Sequence, residues 1–129
     1  LRILITGAKG QLGQALSARL PDAVGVDLPE VDITRPEALE AVVVAAQPEV
    51  ILHCAALTDV DGCARNPELA YRVNGMGTQN VAQAAAGVGA ALAYISSNEV
   101  FDGTRREPYS EFDAPNPINP YARSKLAGE

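Results

Sequence analysis

The turn that joins the first apolar run to the first helical pattern carries three glycines at fixed spacing, Gly7-Ala8-Lys9-Gly10-Gln11-Leu12-Gly13. Arg2 to Thr6 ahead of it reads as a short strand, and Gln11 to Leu20 behind it places Leu12, Ala15, Leu16 and Leu20 at helical spacing. A Gly-x-x-Gly-x-x-Gly turn between a strand and a helix admits few folds. Gly7 permits the tight turn, Gly10 lets a pyrophosphate approach the backbone, and Gly13 lets the helix settle on the sheet, with the phosphates facing the positive helix N-terminus. Gln11 and Leu12, which open that helix, belong to the same candidate cofactor site. Asp27 stands twenty residues after Gly7, at the end of the second apolar run, where a carboxylate accepts hydrogen bonds from the adenosine ribose hydroxyls and favours NAD. Lys9 pulls the other way, because a cation beside the second glycine can meet the 2′-phosphate of NADP. Both cofactors are therefore expected to bind.

The alternation continues down the chain. Ala23 to Asp27 reads as the second strand and Val31 to Ile33 as a short apolar segment. In the next helix Thr34 and Glu37 have capping-box spacing, and Leu39, Val42, Val43 and Ala46 make the buried stripe. Pro48 ends that helix and Val50 to Cys54 is the following strand. Thr58 to Asn66 reads as a loop, and Pro67 opens a long helix to about Ala86. Gly75 and Gly77 inside it each cost about 1 kcal/mol relative to alanine, which predicts close packing there. Ala91 to Ser97 is the last clear strand, Phe101 to Asn119 is a loop rich in proline, glycine and charge, and Tyr121 begins a final helix. Strands separated by helices predict an α/β fold, a doubly wound parallel sheet joined by right-handed crossovers. Asp32 and Ile33 either edge the adenine pocket or simply cap and pack.

Size and charge narrow the function. With 129 residues and 47% hydrophobic content the chain is expected to form one core and one domain. A net charge of -6 and the lack of any basic run argue against a nucleic acid partner, which needs a cationic patch. No apolar stretch approaches the roughly 18 residues of a membrane span, and the N-terminus has no secretory pattern, so the expectation is an intracellular, non-membrane protein. Cys54 and Cys63 match no zinc spacing and read as free thiols. His53 and Cys54, adjacent on a strand, point to opposite faces and do not converge on a metal. The charges at Arg105, Arg106, Glu107, Glu111 and Asp113 read as a solvated loop surface.

Tyr121 and Lys125 lie four apart on the last helix, so their side chains share a face. An ammonium close to a phenol stabilises the phenolate and draws its pKa down from about 10, so the tyrosine can exchange a proton with a carbonyl or alcohol. Ser97 stands twenty-four residues before Tyr121. His53-Cys54-Ala55-Ala56 and Asn74 join these to complete a pattern that resembles the extended short-chain dehydrogenase/reductases. The blocks T-G-A-K-G-Q-L-G, T-D-V-D-G-C-A-R-N-P-E-L-A-Y-R-V-N, V-F-D-G and Y-A-R-S-K-L-A-G-E are most similar to the dTDP-4-dehydrorhamnose reductase family. The resemblance implies a Rossmann-type NAD(P)-binding domain over residues 1–129 and reduction of a nucleotide-linked 4-keto-6-deoxy sugar, a step in dTDP-rhamnose and polysaccharide biosynthesis. It implies that Tyr121 protonates the carbonyl oxygen, that Ser97 polarises it, and that Lys125 holds the nicotinamide ribose and favours the tyrosinate. By the same resemblance Ala55 and Ala56 contact the cofactor, Asn74 braces the helix or a relay water, and the protein is a cytoplasmic homodimer.

Two departures from the family pattern stand out. Ser97-Asn98-Glu99 replaces a common Thr-Asp-Tyr, which makes Asn98 and Glu99 the substrate-facing residues. In nucleotide-sugar 4,6-dehydratases a glutamate at the position of Glu99 removes a proton from the sugar, although Asn98 lacks the acid that would protonate a leaving hydroxyl. Ala15 stands where some reductases carry a magnesium-binding glutamate, so no metal is expected. An epimerase or dehydratase of the same superfamily is one alternative. A non-catalytic NADP-binding regulatory subunit, like that associated with methionine adenosyltransferase, is another. The family's C-terminal substrate lobe follows the Tyr-x-x-x-Lys helix and is absent here, so the chain is expected to be a domain truncated in its last helix.

Overall fold

Side chains alternate across a strand, and the burial of the central strands follows that period. The computed structural model describes residues 1–129. Strands β1 (Ile3–Thr6), β2 (Val24–Val26), β3 (Val50–His53) and β4 (Ala91–Tyr94) pair in parallel in the order β2-β1-β3-β4. Leu4, Ile51 and Leu92 stand in register on one face. They meet Leu39 and Val43 of helix α2 (Pro36–Ala46) and Val81, Ala84 and Ala85 of α5 (Gly77–Val88). Each fully buried leucine or valine contributes about 2 kcal/mol on removal from water, so this layer is the main core. Helix α1 (Gln11–Arg19) packs against β1 from the opposite face, as right-handed crossovers require when the chain steps to β2 and then returns across β1 to β3. That reversal leaves a crevice beyond the carboxyl ends of β1 and β3, where open α/β sheets bind ligands. The doubly wound parallel arrangement is thus as expected.

Several local expectations change. The segment from Thr58 to Asn66 is not all loop, because Val60–Arg65 forms helix α3, capped by the Asp59 carboxylate on the Gly62 N–H at 3.0 Å. Six residues are too few to display a helical period, and Cys63 alone marks the buried side. The long helix from Pro67 is continuous but not uniform. It runs as α4 (Pro67–Ala70), a π-helical turn (Tyr71–Met76) and then α5, ending at Val88. Close packing at its glycines is present: a methyl at Gly77 would come within 2.8 Å of Ile33 Cδ1, and one at Gly75 within 3.3 Å of Ala127 Cβ.

The capping box does not form. Arg35 is the N-cap of α2 with no side-chain hydrogen bond, while Asp32 accepts the Thr34 N–H at 2.9 Å and its hydroxyl at 2.7 Å, so Thr34 is already engaged. Strand β4 stops at Tyr94 rather than Ser97, because its pairing with β3 ends at His53. A short 3-10 turn, Asn98–Val100, follows. The charged loop after it is solvated as expected, with Arg105, Arg106, Glu107 and Glu111 exposed, and it is also tied together by its own hydrogen bonds. Asp102 accepts from the Tyr109 hydroxyl at 2.7 Å, from the Thr104 N–H and hydroxyl, and from Asn116 at 2.8 Å, which holds its carboxyl far below the usual range. Phe101 and Tyr109 stack at 4.5 Å and Arg105 pairs with Asp113 at 2.6 Å. The loop delivers the chain to α6 (Pro120–Leu126). No helix is long and apolar enough to cross a membrane.

Candidate active site

Backbone contact shapes the turn after β1. Gly7 has φ 70°, and a Cβ built on it would stand 2.5 Å from the Ala55 nitrogen, so the turn lies directly against the exit of β3. A Cβ on Gly13 would collide with the Gly7 carbonyl oxygen, and the first turn of α1 lies correspondingly close to the loop. Gly10 caps α1 in an extended conformation without a side-chain hydrogen bond, which leaves the first-turn N–H groups for an anion. Beside this turn opens a cleft of about 600 Å³, within the size range of small-molecule sites. Of the expected cofactor residues it gathers Gly7, Lys9, Gly10, Asp27, Asp32, Ile33, Ala55 and Ala56. Gln11, Leu12 and Gly13 do not line it. Arg72 and Leu69 line it without having been anticipated. Both lie in the block that carries the resemblance, but helix spacing could not show that they face the β1 side.

Asp27 has a structural task as well as an expected one. Its carboxylate accepts the Lys9 N–H and the Leu28 N–H, both at 2.7 Å, and so fastens the end of β2 to the glycine turn. Lys9 reaches back to the Leu28 carbonyl at 2.6 Å and to Glu30 at 2.9 Å. Asp32 is held below the ordinary carboxylate range, first by the Thr34 hydroxyl and N–H, with Arg35 and Arg72 adding attraction.

The second cluster forms around α6. Asn119 caps the helix by accepting the Ala122 N–H at 2.8 Å, and its own amide donates to Glu99 at 2.7 Å. Glu99 is therefore engaged in holding the helix start. Lys125 is almost fully buried; its ammonium donates to the Ile95 carbonyl at 2.7 Å and lies 4.4 Å from the centre of the Tyr94 ring. Burial pushes its pKa down, while Glu129 and Cys54 oppose that shift. Asn74, in the π-helical turn, accepts the Leu57 N–H at 2.7 Å and donates to the Leu57 carbonyl and the Ser124 hydroxyl, each at 2.9 Å. It links the β3 exit loop to α6. The Ser97 hydroxyl accepts the Glu99 N–H at 3.2 Å. Ser97 and Asn98 line a separate, smaller depression with Phe101, Glu111 and Asp113, so they lie outside the 600 Å³ cleft, as do Tyr121 and Lys125.

Cys54 and His53 separate as expected, one into the cleft and one into the core. Burial raises the Cys54 thiol, with Lys125 acting against it. His53 bridges the Thr6 hydroxyl at 2.6 Å and the Thr78 hydroxyl at 3.0 Å, and burial, aided by the Lys125 charge, lowers its pKa to about 4. The two clusters thus meet across the exit of β3.

A family profile described as the RmlD substrate binding domain matches residues 1–129. The chain belongs to this family. Within and around the RmlD family, the dTDP-4-dehydrorhamnose reductase of Mycobacterium tuberculosis is 43% identical over 99% of this chain and 44% of its own length. Methionine adenosyltransferase 2 subunit beta of Bos taurus is 40% identical over 99% of this chain and 41% of its own. The crystal structure of dTDP-4-dehydrorhamnose reductase from Bacillus anthracis in complex with NADP superposes with a TM-score of 0.96 at 46% identity, over 98% of this chain and 47% of that one. The chain therefore spans less than half the length of these relatives.

Proposed function

We propose that residues 1–129 form the dinucleotide-binding domain of an NAD(P)H-dependent reductase that converts the 4-keto group of a dTDP-4-keto-6-deoxy sugar to an alcohol, the dTDP-4-dehydrorhamnose reductase reaction. The observation that supports this reading is the Lys125 ammonium anchored on the Ile95 carbonyl, two residues before Ser97, on the helix that carries Tyr121 one turn earlier. The cleft, the uncapped α1 and a turn with no room for a Cβ at Gly7 and Gly13 suit a dinucleotide, and the reductase from Bacillus anthracis carries NADP. Gly10 and the α1 N-terminus would hold its pyrophosphate, Lys9 the 2′-phosphate of NADP, Asp27 the adenosine ribose, and Asp32, Ile33, Ala55 and Ala56 the walls. Bound NAD(P)H supplies the hydride. Tyr121 would donate the proton to the carbonyl oxygen, Ser97 would hydrogen-bond that oxygen, and Lys125 would hold the nicotinamide ribose. The protein is read as a cytoplasmic homodimer acting on a soluble nucleotide sugar.

Two variants of the whole protein test the reading. Tyr121→Phe is expected to lower kcat by about 10²-fold or more while leaving dinucleotide affinity nearly unchanged. Glu99→Gln keeps an oxygen that can accept from Asn119, so a reductase is expected to retain its activity, with NADPH consumed in step with sugar. Loss of turnover in Glu99→Gln, with no net consumption of cofactor by the wild type, would replace the reductase with a dehydratase or epimerase. The 40% identity to methionine adenosyltransferase 2 subunit beta favours a second reading, a dinucleotide-binding regulatory subunit. Under that reading Tyr121→Phe leaves biological function intact.

A further inference from the structure

Three charged side chains gather where β2 gives way to the rim of the cleft. Asp27 is committed to the glycine turn through the Lys9 and Leu28 amides. The Lys9 ammonium turns the other way, onto the Leu28 carbonyl at 2.6 Å and the Glu30 carboxylate at 2.9 Å. Both side chains of the Lys9–Glu30 pair are mostly exposed, at 61% and 67%, so the pair can open at small cost when a stronger anion arrives. Arg35 and Arg72 act on Asp32, and the Lys9 ammonium is held at the end of β2 on the carbonyl of Leu28, the residue after Asp27.

These contacts bear on a choice that the motif leaves open. A ribose with a free 2′-hydroxyl needs no cation and leaves the Lys9–Glu30 pair intact. A 2′-phosphate brings about -1.5 to -2 charges and needs a cation, so it must take Lys9 away from Glu30 and then sit near the released carboxylate. We infer that Glu30 is a specificity-determining residue, the resident counter-ion of Lys9 that competes with the 2′-phosphate and weakens NADP relative to NAD. This rests on the dinucleotide reading of the cleft. It adds a residue that the glycine motif does not contain and that makes no contact with the turn except through Lys9.

The experiment is a titration of the whole protein with NADPH and with NADH, followed by nicotinamide fluorescence, for the wild type, Glu30→Gln, Lys9→Met and the double variant. Glu30→Gln is expected to tighten NADPH about fivefold, the value of one unit charge at contact distance in water, and to leave NADH unchanged. The gain should shrink with added salt and vanish in the Lys9→Met background, since Glu30 acts through that ammonium. An equal change for both cofactors, or a gain that survives without Lys9, overturns the role assigned to Glu30. If both dinucleotides bind and their ratio does not move, only this inference fails. If neither binds the wild type, the dinucleotide reading fails first and takes the inference with it.

Discussion

At the glycine turn, position is set by backbone against backbone: Gly7 against Ala55, and Gly13 against the Gly7 carbonyl. Around α6 it is set by side chains that reach across the sequence, Asn74 to Leu57 and to Ser124, Lys125 to Ile95, and Glu99 to Asn119. The first is close contact between main-chain atoms, and at Gly7 and Gly13 it leaves no room for a Cβ. The second is a set of separate side-chain hydrogen bonds, each of which can be lost on its own. A phosphate-binding turn needs only shape and N–H groups, so glycine suffices, whereas a proton donor must be held by groups that also exclude water and fix charge.

The largest effect that this contrast predicts is at Gly13. Gly13→Ala would place a methyl into the Gly7 carbonyl and 2.7 Å from Ala8 Cα, both backbone atoms that cannot swing aside. A destabilisation of about 3 kcal/mol or more is expected, with loss of dinucleotide binding, measured by urea unfolding and cofactor titration. Gly87→Ala in α5, where a methyl meets nothing within 4 Å, is the control and should stabilise by up to about 1 kcal/mol. An unchanged midpoint for Gly13→Ala would mean that the turn can yield, and the contrast with α6 would collapse.

His53 lies beneath both regions, between Thr6 and Thr78, and gives a test that depends on pH. Its folded pKa of about 4 is below its ordinary 6.5, so between these values the unfolded chain binds the extra proton. Stability from this group is therefore complete above pH 6.5 and is lost as pH falls towards 4, by about 3 kcal/mol at the order-of-magnitude level. Urea midpoints measured across that window should fall on acidification, and His53→Gln should remove most of the slope. A slope that persists in the variant would assign the acid sensitivity to other groups.

The same contrast explains what could be read in the chain before its structure. The glycine spacing, Asp27 and the strand–helix alternation are local, and the parallel sheet and the turn followed from them. Ala55 and Ala56 came from the resemblance rather than from spacing, and both line the cleft. The π-helical turn was not legible, because Tyr71 to Met76 keeps helical composition and the extra residue is accommodated by packing against α6. Helix α3 was missed for lack of length. Glu99 showed only part of its surroundings in the sequence: its motif position suggested the substrate, and its hydrogen bond from Asn119, twenty residues on, could not be read from spacing. The Lys9–Glu30 pair was invisible for a related reason, since twenty-one residues separate its members and neither lies on a periodic face.

Asn74 gives the smallest of the three effects and the sharpest division between the two regions. Removing its amide leaves the Leu57 N–H and carbonyl and the Ser124 hydroxyl without their partner. Ser124 keeps its bond to the Tyr121 carbonyl at 2.7 Å, so α6 should loosen from the β3 exit rather than unravel. Asn74→Ala is therefore expected to cost about 2 kcal/mol in stability, near the penalty for one or two buried groups left unpaired. Because α6 carries Tyr121 and the glycine turn does not depend on Asn74, kcat should fall while NADPH and NADH affinities stay close to wild type. Asn74→Asp keeps the acceptor for the Leu57 N–H but sets a second carboxyl oxygen against the Leu57 carbonyl in a buried site, so it should be no better than Asn74→Ala in stability or kcat. If cofactor affinity instead falls in proportion to kcat, the β3 exit transmits the change from α6 to the turn, and the two regions act as one coupled unit.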